Sequence, residues 1–125
     1  PESPPYFDKE EISDRPVRFF VSEIIREKIF ELCKKEIPYS SQVEIDTYLD
    51  EGNLIRIRAV IIVERDSQRG IIIGKGGDML KRIGTQARKD LEKFLDKKVF
   101  LESFVKVDKD WRMSDSKLKK YGYGH

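Results

Sequence analysis

The chain has 125 residues and a net charge of +2, enough for one domain around a modest single core. No apolar run nears the ~20 residues of a membrane-spanning helix. The single Cys33 excludes an internal disulfide framework and a cysteine metal site.

The opening Pro1-Glu2-Ser3-Pro4-Pro5 carries no signal-peptide pattern, and cytosol is the default compartment. It also lacks an initiator Met, which marks the chain as a candidate piece of a longer protein. The only histidine, His125, is the last residue and reads as frayed or tag-derived. The charge is unevenly spread. Residues 1–64 hold 9 basic and 14 acidic side chains, residues 65–98 hold 10 and 5, and residues 99–125 hold 6 and 4. The basic excess therefore centres on residues 65–98, an electrostatic footprint for a polyanion; the plainer alternative is a solvated charged face.

In chain order, residues 1–14 are polar and proline-rich and read as an arm or linker, with Tyr6, Phe7 and Ile12 as anchors. Ser13 and Asp14 suit an N-cap and Pro16 a first helical turn, predicting a helix from about Pro16 to Lys35, ended by Pro38. Its apolar stripe is Val17, Phe20, Val21, Ile24, Ile25 and Leu32. Phe19 and Phe30 fall nearly opposite, and a covering segment, the arm or the C-terminal tail, is expected over them; the plainer alternative is two partly exposed aromatics.

Residues 42–64 read as a β-hairpin turning at Asp50-Glu51-Gly52-Asn53. Val43, Ile45, Thr47 and Leu49 are expected on one face. The return strand alternates Ile55, Ile57 and Ala59 with Arg56 and Arg58, then turns apolar on both faces, which predicts a central strand. Glu44 and Asp46 are placed to pair with Arg56 and Arg58 across the hairpin.

Ser67 is positioned to cap a short helix, Gln68 to Ile73. A glycine turn follows, then a helix from Gly77 to about Leu95 with Leu80, Ile83, Ala87, Leu91 and Phe94 as its stripe. Gly84 beside that stripe suggests close approach of another element. Lys81 and Arg82 lie about one turn beyond the glycines. They suit either a bound backbone or open solvent. A last strand, Val99 to Val107, puts Val99, Leu101, Ser103, Val105 and Val107 on one face and Phe100, Glu102, Phe104 and Lys106 on the other. The tail has Trp111 as anchor, with Leu118 and Tyr121 read as docking on the core and Ser114 or Asp115 as caps of a short helix. Its Lys117, Lys119 and Lys120, with Tyr121 and Tyr123, also have the chemistry to stack on RNA.

Spacing decides what the glycine turn is. A Walker A loop fails, because Gly70 and Gly74 are one residue too close and Gly76 stands where a magnesium-binding Ser or Thr belongs. A dinucleotide fingerprint fails too, because Met79 occupies its third glycine position. Gly74-Lys75-Gly76-Gly77 satisfies G-x-x-G between two helices, a turn that clamps about four backbone nucleotides. The structural alternative is a glycine-capped corner.

The order α-β-β-α-α-β predicts an α+β fold. One three-stranded mixed sheet has the return strand in the middle, parallel to the last strand, and helices cover one face; a short C-terminal helical tail follows. The organisation expected is an arm over 1–14 and a domain over 15–123.

This order and the turn Ile72-Ile73-Gly74-Lys75-Gly76-Gly77 resemble a type II KH domain. The chain is similar in particular to the C-terminal region of the Era family of bacterial GTPases. The likeness is carried by Tyr6-Phe7-Asp8, Ser13-Asp14-Arg15-Pro16, Glu23-Ile24-Ile25-Arg26-Glu27-Lys28 and Glu36-Ile37-Pro38-Tyr39-Ser40. It continues through Val63-Glu64-Arg65-Asp66-Ser67-Gln68, Lys106-Val107, Asp110-Trp111-Arg112 and Gly122-Tyr123. The resemblance implies binding of single-stranded RNA at the 3′ end of 16S ribosomal RNA and a part in assembling the 30S subunit. Gly74, Lys75, Gly76 and Gly77 would form the clamp, with Ile72, Ile73 and Leu80 as groove floor or core and Lys81 and Arg82 facing RNA. It also implies a longer parent with an N-terminal GTPase domain holding GTP and magnesium, and peripheral association of that parent with the inner membrane. This chain has no DxxG or NKxD element, so no cofactor is expected for it. The competing reading is a non-catalytic protein-interaction module. An enzyme is disfavoured, since no histidine or cysteine pair is placed for chemistry.

Overall fold

The computed structural model describes residues 9–33 and 41–109, with side chains from Arg15 onward. The expectations for Tyr6, Phe7, Pro38, Trp111, Leu118, Tyr121 and the rest of the tail lie outside these residues. The elements are α1 (Lys9–Cys33), β1 (Ser41–Asp50), β2 (Leu54–Val63), α2 (Asp66–Ile73), a 3-10 turn (Lys75–Gly77), α3 (Asp78–Leu95) and β3 (Lys98–Val107).

The sheet order is β1-β2-β3, with β1 and β2 antiparallel and β2 and β3 parallel. This is the expected mixed sheet with the return strand at its centre. α1 packs over β1, α3 over β3, and the two helices against each other. The core between them is largely branched aliphatic. Val21, Ile25, Ile29 and Cys33 come from α1, Ile83, Ala87 and Leu91 from α3, and Ile55, Ile57, Ala59, Ile61 and Val63 from β2. Lys28 of α1 pairs with Asp90 of α3 at 2.7 Å. No described helix is long and apolar enough to cross a membrane.

Three expectations need correction. α1 begins at Lys9 rather than at Pro16, and Pro16 lies inside it. An interior proline forfeits one helical hydrogen bond. The Lys9-Glu10-Glu11 run, made of good helix formers, lets the helix extend N-terminally regardless. α2 begins at Asp66, not Gln68, and Ser67 is not its cap. The Gln68 side chain instead accepts from the Glu64 and Arg65 amides at 3.1 and 3.0 Å. Phe20 and Phe94, assigned to buried stripes, are half exposed and rest on each other with ring centroids 5.8 Å apart. Phe20 sits at the angular margin of its stripe, whereas Phe94 falls within the buried arc of α3 but in the helix's last turn; periodicity does not say how wide or how long the covering element is. Ile29, unassigned before, is buried. Phe19 and Phe30 are exposed.

A fourth correction concerns β1. Its register shifts between Ile45 and Thr47, so Asp46 is an extra residue and the face alternation inverts beyond it. Tyr48, opposite Ile57, packs on the core, and Leu49 stands 52% exposed, the reverse of the expected phase. Pairing across the hairpin is only partly as expected. Arg58 lies 3.9 Å from Asp46 and 3.4 Å from Glu102, whereas Arg56 pairs with Glu51 at 3.0 Å. Each guanidinium also lies over a ring, Arg56 on Phe100 and Arg58 on Phe104. These arginines therefore have structural partners on the face away from the helices.

The β2–β3 end of the sheet is fastened by two carboxylates. Lys97 Nζ donates to both Asp50 oxygens at 2.9 Å. Glu92 Oε2 accepts from the Val99 amide at 3.0 Å. The Lys97 bonds, then the Gly52 amide, hold Asp50 below its ordinary value; the Val99 amide and then Arg88 do the same for Glu92.

Two outcomes follow. Tyr48→Ala is expected to cost about 1–3 kcal/mol in urea unfolding and Leu49→Ala less than about 0.5 kcal/mol, the order that the bulge dictates. Because both carboxylates are depressed on folding, their stabilisation is complete above the ordinary carboxylate range. It is lost as pH falls through the lowered folded values. The thermal midpoint should therefore hold from neutrality to about pH 5 and then fall. In an Asp50→Asn, Glu92→Gln variant it should start lower and fall less.

Candidate nucleic-acid interface

The glycine turn is built by backbone geometry that side chains resist. Gly74, Gly76 and Gly77 have φ of 76°, 64° and 80°. That region costs other residues about 1–2 kcal/mol each. At Gly74 there is a second reason: a Cβ would lie 2.6 Å from Met79 Cβ and 2.8 Å from Met79 N. The end of α2 therefore passes directly against the first turn of α3. The turn closes with the Gly74 amide donating to Gly70 O at 2.8 Å and Gly77 to Gly74 O at 3.2 Å.

Above the turn the surface is open. A Cβ at Gly76 or Gly77 would meet nothing within 4 Å. Lys75 is exposed. α3 starts from Gly77 in the left-handed region with no side-chain cap on its first amides. The Gly77 and Asp78 amides are already engaged by Gly74 O and Lys75 O, so what the N-terminus of this 18-residue helix offers an anion is its partial positive charge, set against the carboxylate of Asp78 in its first turn.

A groove of about 390 Å³ runs from this turn between α3 and β3. Gly77, Leu80, Lys81, Gly84, Thr85 and Arg88 form one wall, and Leu101 and Ser103 of β3 the other. Of the residues singled out from sequence, the structure brings Gly77, Leu80 and Lys81 into this groove; Gly74, Lys75 and Gly76 immediately precede Gly77 and lie outside the lining. Ile72 is fully buried in the core, and Ile73 is partly buried outside the groove lining. Arg82 is exposed on α3 and outside the lining.

Gly84 also needs correction. Nothing lies within 4 Å of its Cβ position, so it keeps space open in the wall and does not seat a neighbouring element. Sequence reasoning missed Thr85, Arg88, Leu101 and Ser103. Thr85 and Arg88 share the face of Lys81 at helical spacing and were findable from it. The β3 wall comes from a strand whose placement beside α3 is a tertiary fact. β3 is also a sheet edge among the described strands, so part of its backbone hydrogen-bonding row faces away from β2.

Comparison with known proteins agrees with this fold. A family model described as KH domain matches residues 36–112. GTPase Era of Geobacter sp. (strain M21) is 54% identical over 124 residues, covering 98% of this chain and 42% of that protein. GTPase Era of Syntrophus aciditrophicus is 54% identical, with 98% and 41% covered. The chain thus spans about two-fifths of the length of these relatives. Among solved structures, Aquifex aeolicus Era bound to GDP.AlF4- superposes with a TM-score of 0.81 at 40% identity, covering 88% of this chain and 38% of that one. An Era in complex with MgGDPNP and nucleotides 1506-1542 of 16S ribosomal RNA superposes at 0.82 and 38% identity, covering 100% and 42%.

The close approach at Gly74 yields a graded outcome. Gly74→Ala should destabilise by more than about 2 kcal/mol in urea unfolding, since strain and a backbone collision combine, and Gly76→Ala by about 1–2 kcal/mol from strain alone. The family model over residues 36–112 shows that the chain belongs to the KH domain family, and the relatives and solved structures show that it is similar to the C-terminal KH region of Era GTPases.

Proposed function

We propose that the chain is a non-catalytic RNA-binding module that clamps a single strand along the α3–β3 groove. The observation that carries this is the turn itself. Gly76 and Gly77, both at positive φ and uncrowded, leave the backbone next to Lys75 open, beside a groove of about 390 Å³ that Gly77 itself lines. Phosphates approach the bare backbone, the positive N-terminal end of α3 and the Lys75 ammonium. Bases enter the groove, where Leu80 and Leu101 offer apolar contact and the edge of β3 offers backbone donors and acceptors.

The RNA held by the similar Era structure supports a ribosomal target, the 3′ end of 16S ribosomal RNA. On that target we infer further that the work done is assembly of the 30S subunit in the cytoplasm. The longer parent would carry GTP and magnesium on an N-terminal GTPase domain, and this chain would contribute recognition. Arg56 and Arg58 are left out of the RNA surface, since each is paired with a carboxylate and stacked on a ring.

Replacing Lys75 and Gly76 together by Asp puts two negative charges where a phosphate would sit. Asp tolerates the left-handed region better than most residues, so the fold should survive, as circular dichroism would show. Binding of a short single-stranded RNA, read by fluorescence anisotropy, should be abolished. Wild-type affinity should also fall as salt rises, through counterion release. Undiminished affinity in the double variant would leave the protein-interaction reading in place.

A further inference from the structure

The groove continues well past the glycine turn. From Gly77 to Arg88 is eleven residues of α3, roughly 16 Å of helix. Gly84 keeps this stretch open, Thr85 stands on the helix wall, Ser103 stands on the strand wall, and Arg88 lies at the far end. The clamp reading uses none of these side chains.

Arg88 is not a loose surface cation. Its Nη1 donates to Glu92 Oε2 at 3.2 Å, and the same oxygen accepts from the Val99 amide at 3.0 Å. Glu92 thereby ties the guanidinium to the start of β3 and sets where its remaining N–H groups are presented. The pairing also decides what Arg88 can receive. A phosphate would bring a second anion beside a carboxylate that already compensates the guanidinium. A neutral base carries no such cost, and a guanidinium has five N–H donors, of which Glu92 engages only one in this geometry.

We propose that this end of the groove is a base-reading subsite. Arg88, held by Glu92 as its positioning residue, donates to a base with two adjacent acceptors on one edge. Guanine offers O6 and N7, and cytosine offers O2 and N3. Adenine sets its amino donor beside both N1 and N7, presents no edge with two adjacent acceptors, and is disfavoured there. The subsite rests on the RNA reading above and adds a discrimination to it.

The test is anisotropy titration of the full chain against short single-stranded RNAs that differ at one position at a time, each at several salt concentrations. The wild type should show one position where guanine or cytosine is favoured over adenine by roughly tenfold or more, the usual worth of a bidentate arginine contact. Arg88→Ala should flatten that preference and leave the salt slope unchanged; Arg88→Lys, keeping the charge but not the fork, should flatten it too. Glu92→Gln should weaken the preference and steepen the salt slope by about one ion, because the freed guanidinium now takes a phosphate. Thermal unfolding confirms that each variant is folded.

A uniform loss across all RNAs in Arg88→Ala, with the salt slope reduced by about one, would make Arg88 a phosphate contact and overturn the subsite. No change in that variant would overturn it as well. A wild type that binds no RNA would remove the clamp reading itself, and the subsite with it.

Discussion

The contact on which the rest depends is the passage of Gly74 against Met79. Where a side chain would reach within 2.6 Å of a neighbouring Cβ, only glycine lets α2 and α3 meet at this angle. That meeting aims the uncapped end of α3 outward and lays its Leu80–Arg88 face opposite β3. The basic excess of residues 65–98 becomes a local surface because this corner folds the segment back on itself. Gly76 and Gly77 play a different part: nothing crowds them, and their missing side chains leave the backbone approachable.

The other fastenings hold this arrangement. Lys28 and Asp90 join α1 to α3, and Glu92 joins the end of α3 to the start of β3. The Glu92 bond is short in space and sits at the distal end of the groove, so it limits how far helix and strand can part. The exposed Arg56–Phe100 and Arg58–Phe104 stacks lie on the opposite face and are neutralised by Glu51, Asp46 and Glu102. Among the described residues, the arginines behind the sheet and Arg88 in the groove are each paired with a carboxylate, while Lys75, Lys81 and Arg82 stand exposed at the turn and the start of α3.

Much of the architecture was legible because the strongest signals were local. Alternation gave the hairpin, an apolar run on both faces placed β2 at the centre, and glycine spacing separated the G-x-x-G corner from two other phosphate motifs. What escaped was non-local or phase-sensitive. One extra residue at Asp46 inverted Leu49 and Tyr48, and no periodicity shows a bulge before the pairing is known. Pro16 looked like a helix start because proline favours that position, yet the residues before it are good helix formers. Phe20 lay at the edge of its stripe and Phe94 in the last turn of α3, where burial depends on the width and length of the covering element. Leu101 and Ser103 were expected on one face of a last strand parallel to β2, as observed; that they line a groove shared with Leu80, Thr85 and Arg88 of α3 is what no local pattern encodes.

The central claim is spatial: a single strand lies along α3 and β3 with its phosphates at the glycine turn. Amide chemical-shift mapping during titration with a short single-stranded RNA tests it most directly. The account predicts shifts concentrated at Gly74–Gly77, along Leu80–Arg88 and at Leu101–Ser103, with Arg56, Arg58 and Phe104 quiet. Shifts centred on the stacked arginines behind the sheet, with the glycine turn unmoved, would contradict it.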